Sequence, residues 1–507
     1  MTSSAARSRS RGVPLDRLRH ALGGLRACAA RVPRAGRVCA LVAILNAIAW
    51  SLVTPPLQIS DEPWHYEYVE YVARHGRPPA PTPPRLSPSM QAVTEDLDLG
   101  RVVGSPENGT IWSDAERQKL TRDLAQIRSQ DGNGGSYADV PEPPLYYLLE
   151  AIPFTVAKGA SVLDRLALMR LLSALLGGVT VLGVFLFLRE ALPVHPWTWT
   201  VGSLGVAFLP LFAMMAGGLN PDNLLYATAA FLFLLFARIF RRGFTQQRAV
   251  AVGALLAVGV LTKMNFVGLV PGAVLGLVVA ATREEGTLRL RTLRLPLLAL
   301  AVAAVPAAAI TLFNVVAWDR PAFGLGAYST SVVHPSLSES LAYVWEFYLP
   351  PLPGMTHVTA TTFSTREVWF EGFVGRFGWI DTTFADWVYS VAAIPAILVL
   401  LLCVRALVRA RRTLRARLVE LVVYAALAVG MMLLVAGASY NLFLQHGGDA
   451  AAARYLLPLL PLYGALLVLA TRGAGRRWAP IVGTAIVMLA VAHNAFGLLL
   501  EVSRYYA

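Results

Sequence analysis

The chain has 507 residues, 56% of them hydrophobic and only 15% charged, with a mean hydropathy of +0.54. That is more apolar surface than a soluble core could enclose, which excludes an ordinary soluble enzyme and reads as an all-α polytopic membrane protein. The formal net charge of +13 does not point to nucleic acid, because the basic residues follow the expected membrane topology rather than a single patch.

Residues 1–37 read as an arginine-rich cytoplasmic tail, followed by a signal-anchor span with no small-residue cleavage site behind it. Apolar runs near the roughly 20 residues that cross a bilayer fall at 38–56, 168–188, 197–217, 221–240, 247–262, 265–282, 295–317, 387–408, 418–438, 454–471 and 478–499. They predict about eleven transmembrane helices: a core over 38–317, C-terminal helices over 387–499 and an external tail at 500–507. The run 143–157, "PPLYYLLEAIPFTVA", is short and carries Glu150 and Pro153, so it reads as a re-entrant or juxtamembrane helix. With a cytoplasmic N-terminus, 27 of the 44 Lys and Arg residues lie in inner segments, whereas only Asp16, Glu190, Glu284, Glu285 and Glu420 do among the acids. Both distributions support that orientation and a multi-pass place in a membrane. None of Cys28, Cys39 and Cys403 falls in an external loop, so no disulfide framework or cysteine metal site is expected there.

Two external loops are long, 57–167 and 318–386, and loops of that size generally carry function. The first holds the proline-rich "PPAPTPPRLSPSM", a polar helical stretch near 113–129 and "DGNGGSYAD" ahead of the short apolar helix. It opens on "SDEPWHYEYVEYVARHG". Ser60, Asp61 or Glu62 can cap a helix that accepts Pro63 in its first turn and stops at Gly76. Trp64, Tyr68 and Tyr71 suit the membrane interface, and Glu67, Glu70 and Arg74 the water side. Asp61 and His65, four apart, share a face. One acid there could simply cap the helix; three ionisable groups within five residues, where a span emerges, argue for a site.

Together with that stretch, "PEPPLYYLLEAIPF", "GGLNPDNLLY", "LTKMNFVGLVPG", "GRFGWID" and "ARYLLPLLPL" resemble, by their order and placement, the DUF2142 type of bacterial multi-span proteins. That type is similar to the GT-C glycosyltransferases, including protein O-mannosyltransferases and lipid A aminoarabinose transferases. The resemblance implies transfer of a sugar from a polyprenyl-phosphate carrier to an external glycan, lipid or protein acceptor. It maps the catalytic base onto Asp61, with Glu62 completing an adjacent acidic pair, and Asp222 resembles the acid these folds place at the next external turn. Glu142 stands where relatives often have a histidine, so no role carries over to it.

Chemistry supports the same reading from another side. Nucleotide sugars are not expected outside the cytoplasm, so an external transferase needs a membrane-borne donor. A carboxylate at the lipid–water boundary can take the acceptor's proton, and cations must meet the charge developing on the departing phosphate. Lys263, Arg376 and Arg454 stand at the outer boundary. Two of them have a plainer reading: snorkelling for Lys263, pairing with Asp381 or Glu371 for Arg376. His65, Asp222 and Tyr146 complete the substrate-binding set; Tyr146 and Tyr147 line a lipid groove or anchor at the interface. His334, His357 and His446 show no metal-ligand spacing. No cofactor is assigned, although Asp61, Glu62 and Asp222 have the oxygen ligands a divalent cation prefers. A polysaccharide polymerase or ligase with a prenyl-linked donor is the alternative enzyme. A lipid or solute transporter fits less well, since no internal repeat, inverted pair of broken helices or clear mid-span acid is visible.

Overall fold

A computed structural model describes residues 32–506, apart from 81–84, 106–107, 109–111, 128–141, 194, 286–288, 290, 319–335, 356–362 and 447–450. Most of the basic tail, part of the proline-rich piece, all of "DGNGGSYAD", and His334 and His357 lie outside the described residues.

Every apolar run is helical, as it must be where no water is present to satisfy backbone groups. In chain order the helices used below are α1 (Arg34–Val53), α2 (Glu62–His75), α3 (Pro88–Asp96), α4 (Asp114–Gln126), α5 (Leu145–Val156), α6 (Val162–Ala191), α7 (Pro196–Ala207), α8 (Pro210–Ala216), α9 (Asp222–Arg242), α10 (Gln246–Thr262), α11 (Val270–Glu285), α12 (Arg294–Trp318), α13 (Leu337–Tyr348), α14 (Asp386–Arg409), α15 (Leu418–His446), α16 (Leu460–Gly473) and α17 (Ala479–Tyr506).

Among the described residues nine helical stretches are long and apolar enough to cross a membrane, and ten if α7 and α8 form one span bent by 67°. Of the eleven expected runs, 197–217 becomes the bent pair α7 and α8, and 247–262 the shorter apolar helix α10. Pro210 starts α8 and cannot continue α7, which accounts for the bend. α10 is short because the chain turns extended at Lys263 before a tight Met264–Leu269 turn leads into α11. At the other end of the chain α17 runs on to Tyr506, so residues 500–506 belong to a helix rather than a tail.

α9 and α6 form the centre of the bundle, with 78% and 61% of their apolar windows buried, against 11% for α12 and α14. Small residues let the central helices approach: a Cβ on Gly178 would lie 2.4 Å from Ile44, and one on Gly183 2.9 Å from Ala230.

One end of the bundle carries both long loops, and a second apolar cluster sits there, with Leu57, Tyr66, Tyr68, Val69, Met90, Leu120, Tyr147 and Phe154. α4 starts on a capping box between Ser113 and Glu116. α5, 12 residues long, reaches about 18 Å, less than the ~30 Å of a bilayer core. Its Leu148, Ile152 and Val156 are exposed while Tyr146, Tyr147 and Glu150 are buried. α2 ends as expected at Gly76, in the left-handed conformation. Its faces differ from expectation: Tyr68, Glu67 and Glu70 are buried. The rest of the loop covers them, with Ser87 donating to Glu67 through its amide and hydroxyl at 3.0 and 2.6 Å, and Tyr68 stacked on Tyr147.

A small antiparallel hairpin, Arg376–Phe377 with Thr382–Thr383, closes over the exit of α1. Ser60 donates to Gly378 O at 2.5 Å and Trp379 Nε1 to Leu57 O at 3.2 Å. Asp381 accepts from the Gly104 amide and faces Arg504 of α17.

Candidate functional site

The site begins where α1 ends. Leu57 and Asp61 have φ of 63° and 69°, left-handed values that cost a non-glycine residue free energy and often mark functional positions. Asp61 occupies the position preceding α2, yet its side chain makes no cap bond. Capping requires an extended backbone there; the left-handed turn instead sends the carboxylate outward, where Oδ2 accepts from Arg454 Nη2 at 2.5 Å. The simple capping reading of Asp61 does not hold.

Glu62, expected to stand beside Asp61 as a second catalytic acid, points the other way. Fully buried, it accepts from Arg170 Nε and Nη2 at 2.8 and 2.6 Å and from the amides of Leu57 and Leu219 at 2.9 and 3.0 Å. Arg170 also donates to the carbonyls of Ser51, Thr54 and Pro55. This network ties the end of α1 to α6 and to the Gly218–Leu219 turn, and Glu62 positions Asp61 rather than facing a ligand.

A second ion pair lies beside the first. "NPDN" folds through its own amides: Asn220 Oδ1 accepts from the Asp222 amide, and Asn223 donates to the carbonyls of Met215 and Gly218. That places Asp222 in the first turn of α9, where the helix dipole favours an acid, 2.8 Å from Lys263 Nζ. Both are buried. The ring of Tyr455 joins the pairs, with Lys263 Nζ 5.9 Å and the Arg454 guanidinium 5.2 Å from its centroid. His65, one turn along α2 from Asp61, bonds through Nδ1 to the Tyr147 hydroxyl at 3.0 Å.

Asp61, His65, Asp222, Lys263 and Arg454 are thus brought together. His65 Nε2, Asp222 Oδ2 and Arg454 Nε and Nη1 are buried and have no hydrogen-bond partner among the described residues. Such groups are costly unless a ligand meets them.

The charges set the protonation states. Burial by itself would raise the Asp61 carboxyl, but Arg454, His65 and Lys263 outweigh it and hold it below the ordinary carboxylate range. Burial dominates at His65 and pushes it down to about 3 against the pull of Asp61, leaving a neutral imidazole. Glu142 is pushed up by burial, against Lys263. Reasoning from sequence assigned no role to Glu142 or to Tyr455, whose neighbour Arg454 it did single out.

Tyr146 stands apart: its hydroxyl pairs with Ser173 on α6 at 2.8 Å, and Ser173 donates to Glu150. Tyr147 is the tyrosine that turns towards His65. Arg376 is bonded to Glu367 and Glu371 at 3.0 and 3.3 Å and stacks on Phe363. Arg376 and Arg454 both line one partly open cavity, together with Ser60, Met214, Glu367 and Ala453.

For a divalent cation the donor set does not fit. Asp61, Glu62 and Asp222 each face their own cation, and no group of three or more His, Cys, Asp or Glu among the described residues could hold a metal ion.

The family model described as "Predicted membrane protein (DUF2142)" matches residues 44–463. Two solved structures are similar. One is the crystal structure of the Archaeoglobus fulgidus oligosaccharyltransferase in the apo form, with 12% identity and a TM-score of 0.40, covering 93% of this chain and 56% of that one. The other is the archaeal oligosaccharyltransferase AglB from Archaeoglobus fulgidus in complex with an inhibitory peptide and a dolichol-phosphate, with 13% identity and a TM-score of 0.41, covering 92% of this chain and 56% of that one. The chain therefore spans little more than half the length of either protein. No match is found among curated protein sequences.

Proposed function

The chain belongs to the DUF2142 family of predicted membrane proteins, and on that premise we propose that it is a membrane glycosyltransferase. It takes a sugar from a polyprenyl-phosphate donor and passes it to a hydroxyl of a cell-envelope glycan, lipid or protein. Asp61 is the general base, and the site opens on the outer face of a bacterial inner membrane. One observation carries this reading: a strained, partly exposed carboxylate is held next to three buried ionisable groups and a cavity, all at the loop end of the bundle.

In the reaction, an Asp61 oxygen takes the acceptor's hydroxyl proton as the hydroxyl oxygen attacks the anomeric carbon. The bond from this carbon to the phosphate oxygen breaks, and its electron pair stays on the prenyl phosphate. Inversion follows from attack opposite the leaving group. Lys263 and Arg454 are the cations for the developing phosphate charge, worth most where water is scarce. His65, neutral and held by Tyr147, is placed to hydrogen-bond a substrate hydroxyl without adding charge. Glu62 and Arg170 hold the turn that carries the base.

The test incubates membranes containing the protein with a panel of radiolabelled prenyl-phosphate sugars. Wild type transfers label from at least one donor and Asp61→Asn does not. Equal transfer by both would remove Asp61 as base. No transfer by either, with lipid movement across vesicles by the purified protein, would replace the transferase with a transporter.

A further inference from the structure

Arg454 makes its side-chain bonds through one nitrogen. Nη2 donates to Asp61 at 2.5 Å and reaches the Tyr455 hydroxyl at 3.5 Å, while Nε and Nη1 are buried without an acceptor among the described residues. A guanidinium carries five N–H donors in a fork that suits phosphate oxygens, so the present seat leaves most of that capacity unused.

The neighbouring cations are committed elsewhere. Lys263 is paired with Asp222 at 2.8 Å, and Arg376 is shared between Glu367 and Glu371. Arg454 also lines the cavity, where Leu211, Met214, Met215 and Val368 supply an apolar wall. An amphiphilic anion entering there meets Arg454, whose buried Nε and Nη1 both lack an acceptor among the described residues, whereas at Arg376 the buried Nε alone does.

We propose that the cavity binds the phosphate of a prenyl-phosphate ligand on Arg454, and that its oxygens draw the guanidinium away from Asp61, so that the base is released when the donor, whose phosphate joins prenyl chain to sugar, is bound. This rests on the reading of Asp61 as base and of the donor as a prenyl phosphate. Of the groups that bear on Asp61, namely Arg454, His65, Lys263 and Glu142, Arg454 is the one hydrogen-bonded to it. Losing that bond and gaining a nearby anion both make the carboxylate more basic. The ligand thus strengthens the base that its own transfer needs.

The experiment measures carbodiimide modification of Asp61, whose side chain is 41% exposed, in the full-length protein. The protein is held in phosphatidylcholine nanodiscs, whose phosphodiesters each carry their own choline cation, at one mildly acidic pH, with peptide mass spectrometry as readout. Carbodiimides attack the protonated carboxyl, so a basicity rise of one unit or more gives about a tenfold or greater gain in rate. A short-chain prenyl monophosphate should produce that gain and the matching prenyl alcohol should not. A gain with inorganic phosphate as well shows that the phosphate suffices; a gain with the prenyl phosphate alone shows that the lipid is required. Arg454→Gln should react fast without ligand and respond to none.

The proposal is overturned if neither phosphate speeds modification of wild type, a result that stands even where Arg454→Gln fails to fold, or if the response persists in that variant. Failure of the transferase reading looks different: modification rises with prenyl phosphate while no labelled donor is consumed. Consumption of donor with unchanged modification sinks the gate and leaves the transferase.

Discussion

Glu62 and Arg170 are joined by two charge-assisted hydrogen bonds of 2.8 and 2.6 Å, both side chains almost wholly removed from solvent. Their neighbours in the network are backbone groups of the segment that carries Asp61. Removing one member leaves an uncompensated buried charge, at a cost of about 3–5 kcal/mol. Arg170→Met and Glu62→Gln should therefore melt well below wild type in detergent and give little folded protein. A Glu62→Gln protein of wild-type stability that cannot transfer sugar would instead return Glu62 to the chemistry.

Two buried groups on α2 give stability opposite pH slopes. Folded His65 titrates near 3 because of burial, so the unfolded chain takes up a proton first as pH falls below about 6.5. Its contribution is complete above that value and is lost at about 1.4 kcal/mol per unit on the way down. Glu67 is pushed up to about 7 by burial, against its bonds from Ser87. Its contribution is complete below the ordinary value of 4.5 and is lost as pH rises towards 7. The slopes oppose each other between roughly pH 4.5 and 6.5. Across that window Glu67→Gln should gain stability relative to wild type as pH rises, and His65→Gln should lose it. Differences from wild type that stay constant with pH in both variants would contradict this account.

What the sequence made legible was whatever depends on local pattern. Apolar runs became helices because run length and backbone satisfaction are visible residue by residue. The stop at Gly76, the polar helix near 113–129 and the bundle end carrying the charged motifs belong to the same class. Partner choice was not legible, since Glu62 finds Arg170 at a separation of 108 residues and Asp61 finds Arg454 at 393. Nor does an aspartate announce a left-handed backbone, and that single angle decides whether Asp61 caps α2 or faces Arg454. Burial of Glu67 and Glu70 depends on a covering loop whose path the pattern does not encode. Tyr146 and Tyr147 differ by one helical step of about 100°, which turns one to Ser173 and the other to His65.

Asp61 should leave its mark on the acid side of the rate profile. A base must be deprotonated, and in the free protein Arg454 and its neighbours keep Asp61 so below the ordinary 3.8, despite burial. The acid limb of kcat/KM, which reports the free enzyme, should then lie below that value, with no inflection from His65 near neutrality. If the donor draws Arg454 away, the limb of kcat moves upward relative to that of kcat/KM by about one unit or more. Coincident limbs in steady-state profiles with a saturable prenyl-phosphate sugar would argue against that release.

Asp222 and Lys263 separate packing from chemistry. Both are buried and 2.8 Å apart, so either single change, Asp222→Asn or Lys263→Met, strands the other charge and should cost about 3–5 kcal/mol. The double variant removes both charges, and its stability loss should be smaller than that of either single, as expected of two buried charges that compensate each other. Folding is then nearly restored in a protein that lacks the cation beside Tyr455. If Lys263 stabilises the leaving phosphate, transfer stays about 100-fold or more below wild type, the size of effect expected when one aimed donor is removed from a developing anion. If the pair only fills space between α9 and the turn after α10, transfer returns with stability. Measuring melting temperature and initial transfer rate on the same four proteins distinguishes the two, because only a role in chemistry leaves the double variant folded and inactive.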